Sequence, residues 1–171
     1  MPDDHLRQPQ LRPLERTMKR LGSALAGALV LGQGVCAAPA EVEAAARRFS
    51  PEISWQSRSV VSGDFSCKGR SEQAILGVAK GRVVVAIFTR ELSGRPETVA
   101  LEESVLDGGA VALAVESLDV DVVALERDLG WRPPGLRRSK SCVGLTLNDQ
   151  QVDPVHVYWN RAAARLQTWS Q

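Results

Sequence analysis

The sequence lacks a glycine-rich phosphate loop, a nucleophile-elbow serine, carboxylates paired on a recognisable frame, and repeated heptads. Those absences leave no catalytic constellation, no coiled coil and no call for a cofactor. Net charge is scarce as well. At +1 over 171 residues, the chain has no general attraction to nucleic acid or anionic lipid. Imidazole is limited to His5 and His156. An ordinary 44% apolar and 24% charged content indicates neither disorder nor a membrane bundle.

What is present is unevenly placed. Residues 1–37 carry five basic and three acidic groups, and residues 38–171 carry 16 and 17. All four Trp, three Phe and the single Tyr follow position 37, where a core would be built. Met18-Lys19-Arg20 is a short cationic segment, Leu21 to Val35 is uncharged, and Val35-Cys36-Ala37 offers small residues at −3 and −1 of a signal-peptidase site. The sequence therefore predicts a signal peptide over 18–37 and one mature domain over 38–171, exported to the periplasm or secreted. Cleavage after Ala37 fits best, and Ala38-Pro39-Ala40 is a second candidate. A membrane anchor is the weaker reading, since a spanning helix wants about 20 predominantly apolar residues. This stretch spends four positions on Gly. Lipidation of Cys36 is a minority alternative. Residues 1–17 read as a mis-assigned start or a disordered leader.

Removal of Cys36 leaves Cys67 and Cys142, which in an exported domain read as one disulfide. Two thiolates and His156 would make an incomplete zinc set, so no metal is expected there.

Glu41 to Phe49 places acids first and arginines last, an order that suits the helix dipole, and Ser50-Pro51 stops it. Beyond it the period shortens. Strands are predicted over 59–65, 73–79, 82–89, 97–102, 110–115, 141–147, 155–159 and 165–169, with Lys80-Gly81 as a tight hairpin turn. The nearly continuous apolar run from Val83 to Phe88 argues a central strand covered on both faces. Asp119 to Leu125 is ambiguous between strand and helix, and Leu129 to Lys140 reads as a loop. The pattern predicts a mainly β fold, a small antiparallel sandwich or incomplete barrel built of hairpins, with one short N-terminal helix.

Gly63-Asp64-Phe65-Ser66-Cys67-Lys68-Gly69-Arg70-Ser71-Glu72, followed by Gln73-Ala74-Ile75-Leu76, resembles the repeat unit of FG-GAP and VCBS-type β-propellers. That unit has a Gly-Asp-Phe/Leu start, a calcium loop of the form D-x-D-x-D-G-x-x-D, then an apolar strand and hairpin. Asp149 to Asp153 followed by Val155–Trp159 and Arg165–Trp169 is a weaker echo. Two units are too few for a propeller, so the likeness is local. The whole mature chain is also similar to a set of uncharacterised exported proteobacterial proteins, which implies compartment and no activity. The family's ligand positions fall on Asp64, Ser66, Lys68 and Glu72. Lys68 puts an ammonium where a carboxylate belongs, so no calcium is expected, and Cys67 suggests a covalent staple in the ion's place.

Two function classes remain. Trp131 beside Pro133-Pro134, with Arg132, Arg137 and Arg138, is a candidate partner-binding segment, for another envelope protein or a polyanion. Its bland alternative is a solvated loop that pairs with the acidic segment Asp119, Asp121, Glu126 and Asp128, or a lid on a sheet edge. The favoured reading is a non-enzymatic binding or envelope-associated module. A small hydrolase or inhibitor-like factor is the alternative. An exposed Trp131 flanked by arginines would favour binding, and a pocket joining His156 to an acid and a serine would favour the enzyme.

Overall fold

A computed structural model describes residues 37–102, 111–149 and 153–170. The expected leader, the expected export signal through Cys36, residues 103–110 and Gln150 to Val152 lie outside the described residues.

The first described element is helix α1, Pro39–Phe49. Proline opens it, where the missing N–H has no intrahelical partner to lose. Glu41 Oε2 accepts the Ala38 N–H at 3.1 Å, so the acid predicted for the first turn also caps it. Val42, Ala45 and Ala46, at i, i+3 and i+4, have no solvent exposure and form the stripe that the helix lays on a sheet.

That sheet is an antiparallel meander of β1 (Ser54–Gly63), β2 (Glu72–Ala79), β3 (Arg82–Phe88) and β4 (Glu97–Glu102), in spatial order β1-β2-β3-β4. Ala79 pairs with Arg82 across Lys80 and Gly81. Both turn residues have positive φ, 50° and 71°, the combination a two-residue type I′ turn needs. Ala74, Leu76, Val83, Val85 and Ile87 face inward, while Ile75, Val84, Ala86 and Phe88 meet α1 with Trp55. The apolar run of β3 is thus buried on both faces.

A second meander follows: β5 (Ala112–Ser117), β6 (Val143–Asn148), β7 (Val155–Asn160) and β8 (Arg165–Trp169), in order β5-β6-β7-β8. Leu113, Leu145, Leu147, Val155, Val157 and Leu166 close the core against the inner face of the first sheet. The fold is therefore mainly β, two four-stranded antiparallel sheets face to face, and not a closed barrel.

Several boundaries move from the expected ones. β1 begins at Ser54 rather than 59 and ends at Gly63, with its register shifted between Gln56 and Val61. β5 and β6 each end one or two residues later than expected. The ambiguous segment after Asp119 becomes a second helix, α2 (Val122–Leu129), because Asp121 Oδ1 accepts the N–H groups of Val123 and Ala124 and Gly130 closes the other end at φ 73°. No described helix is long and apolar enough to cross a membrane.

Candidate functional site

The loop from Asp64 to Ser71 joins β1 to β2 and reaches toward the second sheet. Asp64 Oδ1 and Oδ2 accept the N–H groups of Lys68 and Gly69, both at 2.8 Å. Glu72 is 2% exposed, and its carboxylate accepts the Ser66 N–H at 2.7 Å and the Ser66 hydroxyl. Arg70 Nε lies 3.6 Å from the same carboxylate. The two acids that the propeller resemblance assigns to an ion are therefore spent holding the turn. Lys68 Nζ lies 5.7 Å from the centroid of the Trp159 ring, within cation–π range. Among the described residues no three His, Cys, Asp or Glu side chains cluster as a metal site would need.

Cys67, at φ 57°, faces Cys142 with the sulfurs 2.18 Å and the Cα atoms 4.9 Å apart, at disulfide distance. Beside it Val143 N–H donates to Asp64 O at 3.2 Å, so a covalent and a polar tie join the sheets at one place. Cys142 is buried with Leu118, Leu136 and Tyr158, and Arg161 Nη2 sits 3.8 Å from its sulfur.

The segment from Leu129 to Lys140 is irregular, as expected, but only part of it is solvated. Pro133-Pro134-Gly135-Leu136 is a β-turn closed by Leu136 N–H to Pro133 O at 3.2 Å. Proline at its second position and Gly135 at φ 71° at its third are what a type II turn asks for. Pro134 O accepts the Tyr158 hydroxyl at 2.8 Å and Asn160 Nδ2 at 2.9 Å, and Leu136 is buried under the turn. Burial pushes the Tyr158 hydroxyl up to about 12.

Trp131 emerges between the end of α2 and this pinned turn, 44% exposed. Arg132 and Arg137 are exposed, with Arg132 Nη1 3.8 Å from Glu126. Arg138 is bound at 2.5 Å to Asp119. That hydrogen bond, reinforced by the Asp119 charge, raises the pKa of its guanidinium. Two of the three arginines in this segment are thus paired with the acidic stretch before it.

His156 lies on the outer face of the second sheet. Its Nδ1 is 2.7 Å from Glu116 Oε2, and its ring stacks on Trp169 at 3.7 Å and 8°. Sequence reasoning missed both partners. Glu116 is 40 residues away, and only strand register brings the three together: His156 opposes Thr146 and Trp169, and Glu116 opposes Gly144 on the same β6. The arrangement supplies a carboxylate and an imidazole. Among the described residues no serine hydroxyl bonds to that ring.

A shallow recess of about 450 Å³ also escaped sequence reading. Arg70, Ser71, Arg90, Glu91, Ser93 and Gly94 line it, from the β1–β2 and β3–β4 loops.

Comparison with known protein families, curated proteins and solved structures finds no match to this chain.

Proposed function

We propose that the protein is an exported, non-catalytic binding module of the cell envelope, with Trp131 as its anchor for a protein partner. The carrying observation is the exposure of Trp131 between two fixed supports, the capped end of α2 and the docked Pro133–Leu136 turn. A large aromatic on a backbone fixed at both sides has less freedom to lose on docking, and such residues dominate interface energetics. Arg138 and Arg132 are engaged by Asp119 and Glu126, so a protein surface suits this region better than a polyanion. The cationic and uncharged segments before Ala37 and the paired cysteines support an oxidising destination. The β1–β2 loop keeps the outline of a calcium-repeat turn, and its contacts support a structural role for it.

A hydrolase is the second reading, drawn from the Glu116–His156 pair. One experiment separates them. The purified protein, immobilised with its disulfide intact, is challenged with envelope extract alongside Trp131→Ala and His156→Ala. The binding reading expects a saturable partner that is lost with Trp131→Ala and kept with His156→Ala. A partner indifferent to Trp131→Ala, or hydrolytic turnover abolished by His156→Ala, overturns it.

A further inference from the structure

The recess between the β1–β2 and β3–β4 loops stands apart from the Trp131 surface and does not depend on it. Arg70 is fixed at one side of it. Its Nη2 donates to Thr89 O and its Nε faces the buried Glu72. A guanidinium carries five N–H donors, so this anchoring still leaves donors for a ligand. Arg90, one residue beyond Thr89, is exposed and has no bonding partner among the described residues. Two further arginines serve the same loop: Arg48 Nη2 donates to Leu92 O at 3.1 Å, and Arg95 is exposed within it. The opposing charges are Glu91, whose Oε2 accepts the Ser93 hydroxyl at 3.4 Å, and Glu72, already committed to Ser66. Of these four guanidinium groups, Arg70 and Arg90 line the recess itself, against one lining carboxylate, Glu91.

We propose that this recess binds a phosphoryl group. Like charges gathered at a concave site favour an anion there. The donors are of two kinds and come from two loops: the guanidinium groups of Arg70 and Arg90, and the hydroxyl of Ser71, while the Ser93 hydroxyl is turned to Glu91. A carboxylate is satisfied by one planar fork, whereas a phosphoryl group presents three oxygens in a tetrahedral arrangement and can use donors from several directions. Because the recess is shallow and its arginines are in contact with water, the affinity for the bare anion is expected to be roughly millimolar. The phosphoryl group can belong to a soluble solute or to a lipid headgroup.

Amide chemical shifts of the purified protein, titrated with inorganic phosphate against sodium chloride at matched ionic strength, test this. Saturable shifts confined to Arg70, Ser71, Arg90, Ser93 and Gly94 are expected. Arg90→Gln, which removes no internal contact, should melt as the wild type does and weaken phosphate binding roughly tenfold, as the loss of one charge-assisted contact implies. Arg58→Gln, an exposed arginine elsewhere on the first sheet, should bind as the wild type does. Co-sedimentation with phosphatidylcholine vesicles, with or without phosphatidic acid, identifies the source. Arg90-dependent binding only to the acidic vesicles means a lipid headgroup, and Arg90-dependent binding of inorganic phosphate without vesicle binding means a soluble phosphate ester. Equal shifts with phosphate and chloride and no Arg90-dependent vesicle binding overturn the proposal, as does Arg90→Gln binding like the wild type.

Discussion

Glu72 holds Ser66 by both of its donors: the backbone N–H at 2.7 Å and the hydroxyl, on a carboxylate that is 2% exposed. A charged acceptor in that position makes the β1–β2 loop a rigid part of the core's rim. Glu72→Ala leaves two donors inside the fold without an acceptor, so it should cost about 3 kcal/mol. Chemical denaturation monitored by tryptophan fluorescence reads it. A loss no larger than a surface substitution gives would show that the pair contributes little.

Calcium should leave the wild-type melting curve where a chelator leaves it. An ion that binds only the folded state raises the melting temperature with its occupancy. Here Asp64 and Glu72 already accept four loop donors between them, and Lys68 contributes an opposing charge. A melting temperature that climbs with millimolar calcium would refute this.

Cys67 and Cys142 are 75 positions apart, and closing a loop of that length restricts the unfolded chain by roughly 4 kcal/mol on chain-entropy grounds. The native protein should therefore show no free thiol to a trapping reagent under denaturing, non-reducing conditions, and Cys67→Ser/Cys142→Ser should melt well below it. Two trapped thiols would contradict the pairing.

Tyr158 is the single tyrosine, so tyrosinate absorbance reports on it alone. Burial raises its folded pKa from 10.0 to about 12. The folded state holds its proton more tightly than the unfolded one. The stability this contributes is complete below pH 10.0 and is lost as the pH rises toward about 12. An alkaline titration of the folded protein should show tyrosinate only well above 10.0. An ordinary titration midpoint in folded protein would mean the hydroxyl reaches water.

Gly135 is where the Pro133–Leu136 turn touches β7. A Cβ there would fall 2.3 Å from Asn160 Oδ1, on a backbone at φ 71°. Gly135→Ala should destabilise by about 2 kcal/mol or more, combining backbone strain with displacement of Asn160. It should also weaken partner capture through Trp131, since the turn that begins two residues beyond it moves. Unchanged melting and capture would show the turn is not the support.

Much of the frame was legible because local chemistry and tertiary demand agree there. Lys80-Gly81 between two apolar runs makes a hairpin in isolation as well as in the sheet, and the unbroken run of β3 anticipates a strand with α1 on one face and a second sheet on the other. The acid-first, arginine-last order of α1 survives unchanged. α2 was not legible, because Val120 and Val122 alternate with Asp119 and Asp121 in a strand-like way. The deciding contact is the side chain of Asp121 on two amides. The first part of β1, from Ser54 to Arg58, has too little apolar periodicity to stand out. The chemistry-bearing groupings were hidden for a different reason. Glu116, His156 and Trp169 meet only through strand register, and Arg70 and Arg90 only where two loops fold to one end of a sheet. No pattern along the chain marks either.

Each sheet is one uninterrupted stretch of chain, β1 to β4 and then β5 to β8. Cys67 lies in the first stretch and Cys142 in the second. A protease that cut the chain once between Glu102 and Val111 would therefore separate nothing. The two pieces would remain a single covalent molecule, their apolar faces still pressed together, and would part only after reduction and unfolding. One bond between the halves thus gives the protein tolerance of a cut that would otherwise split it in two.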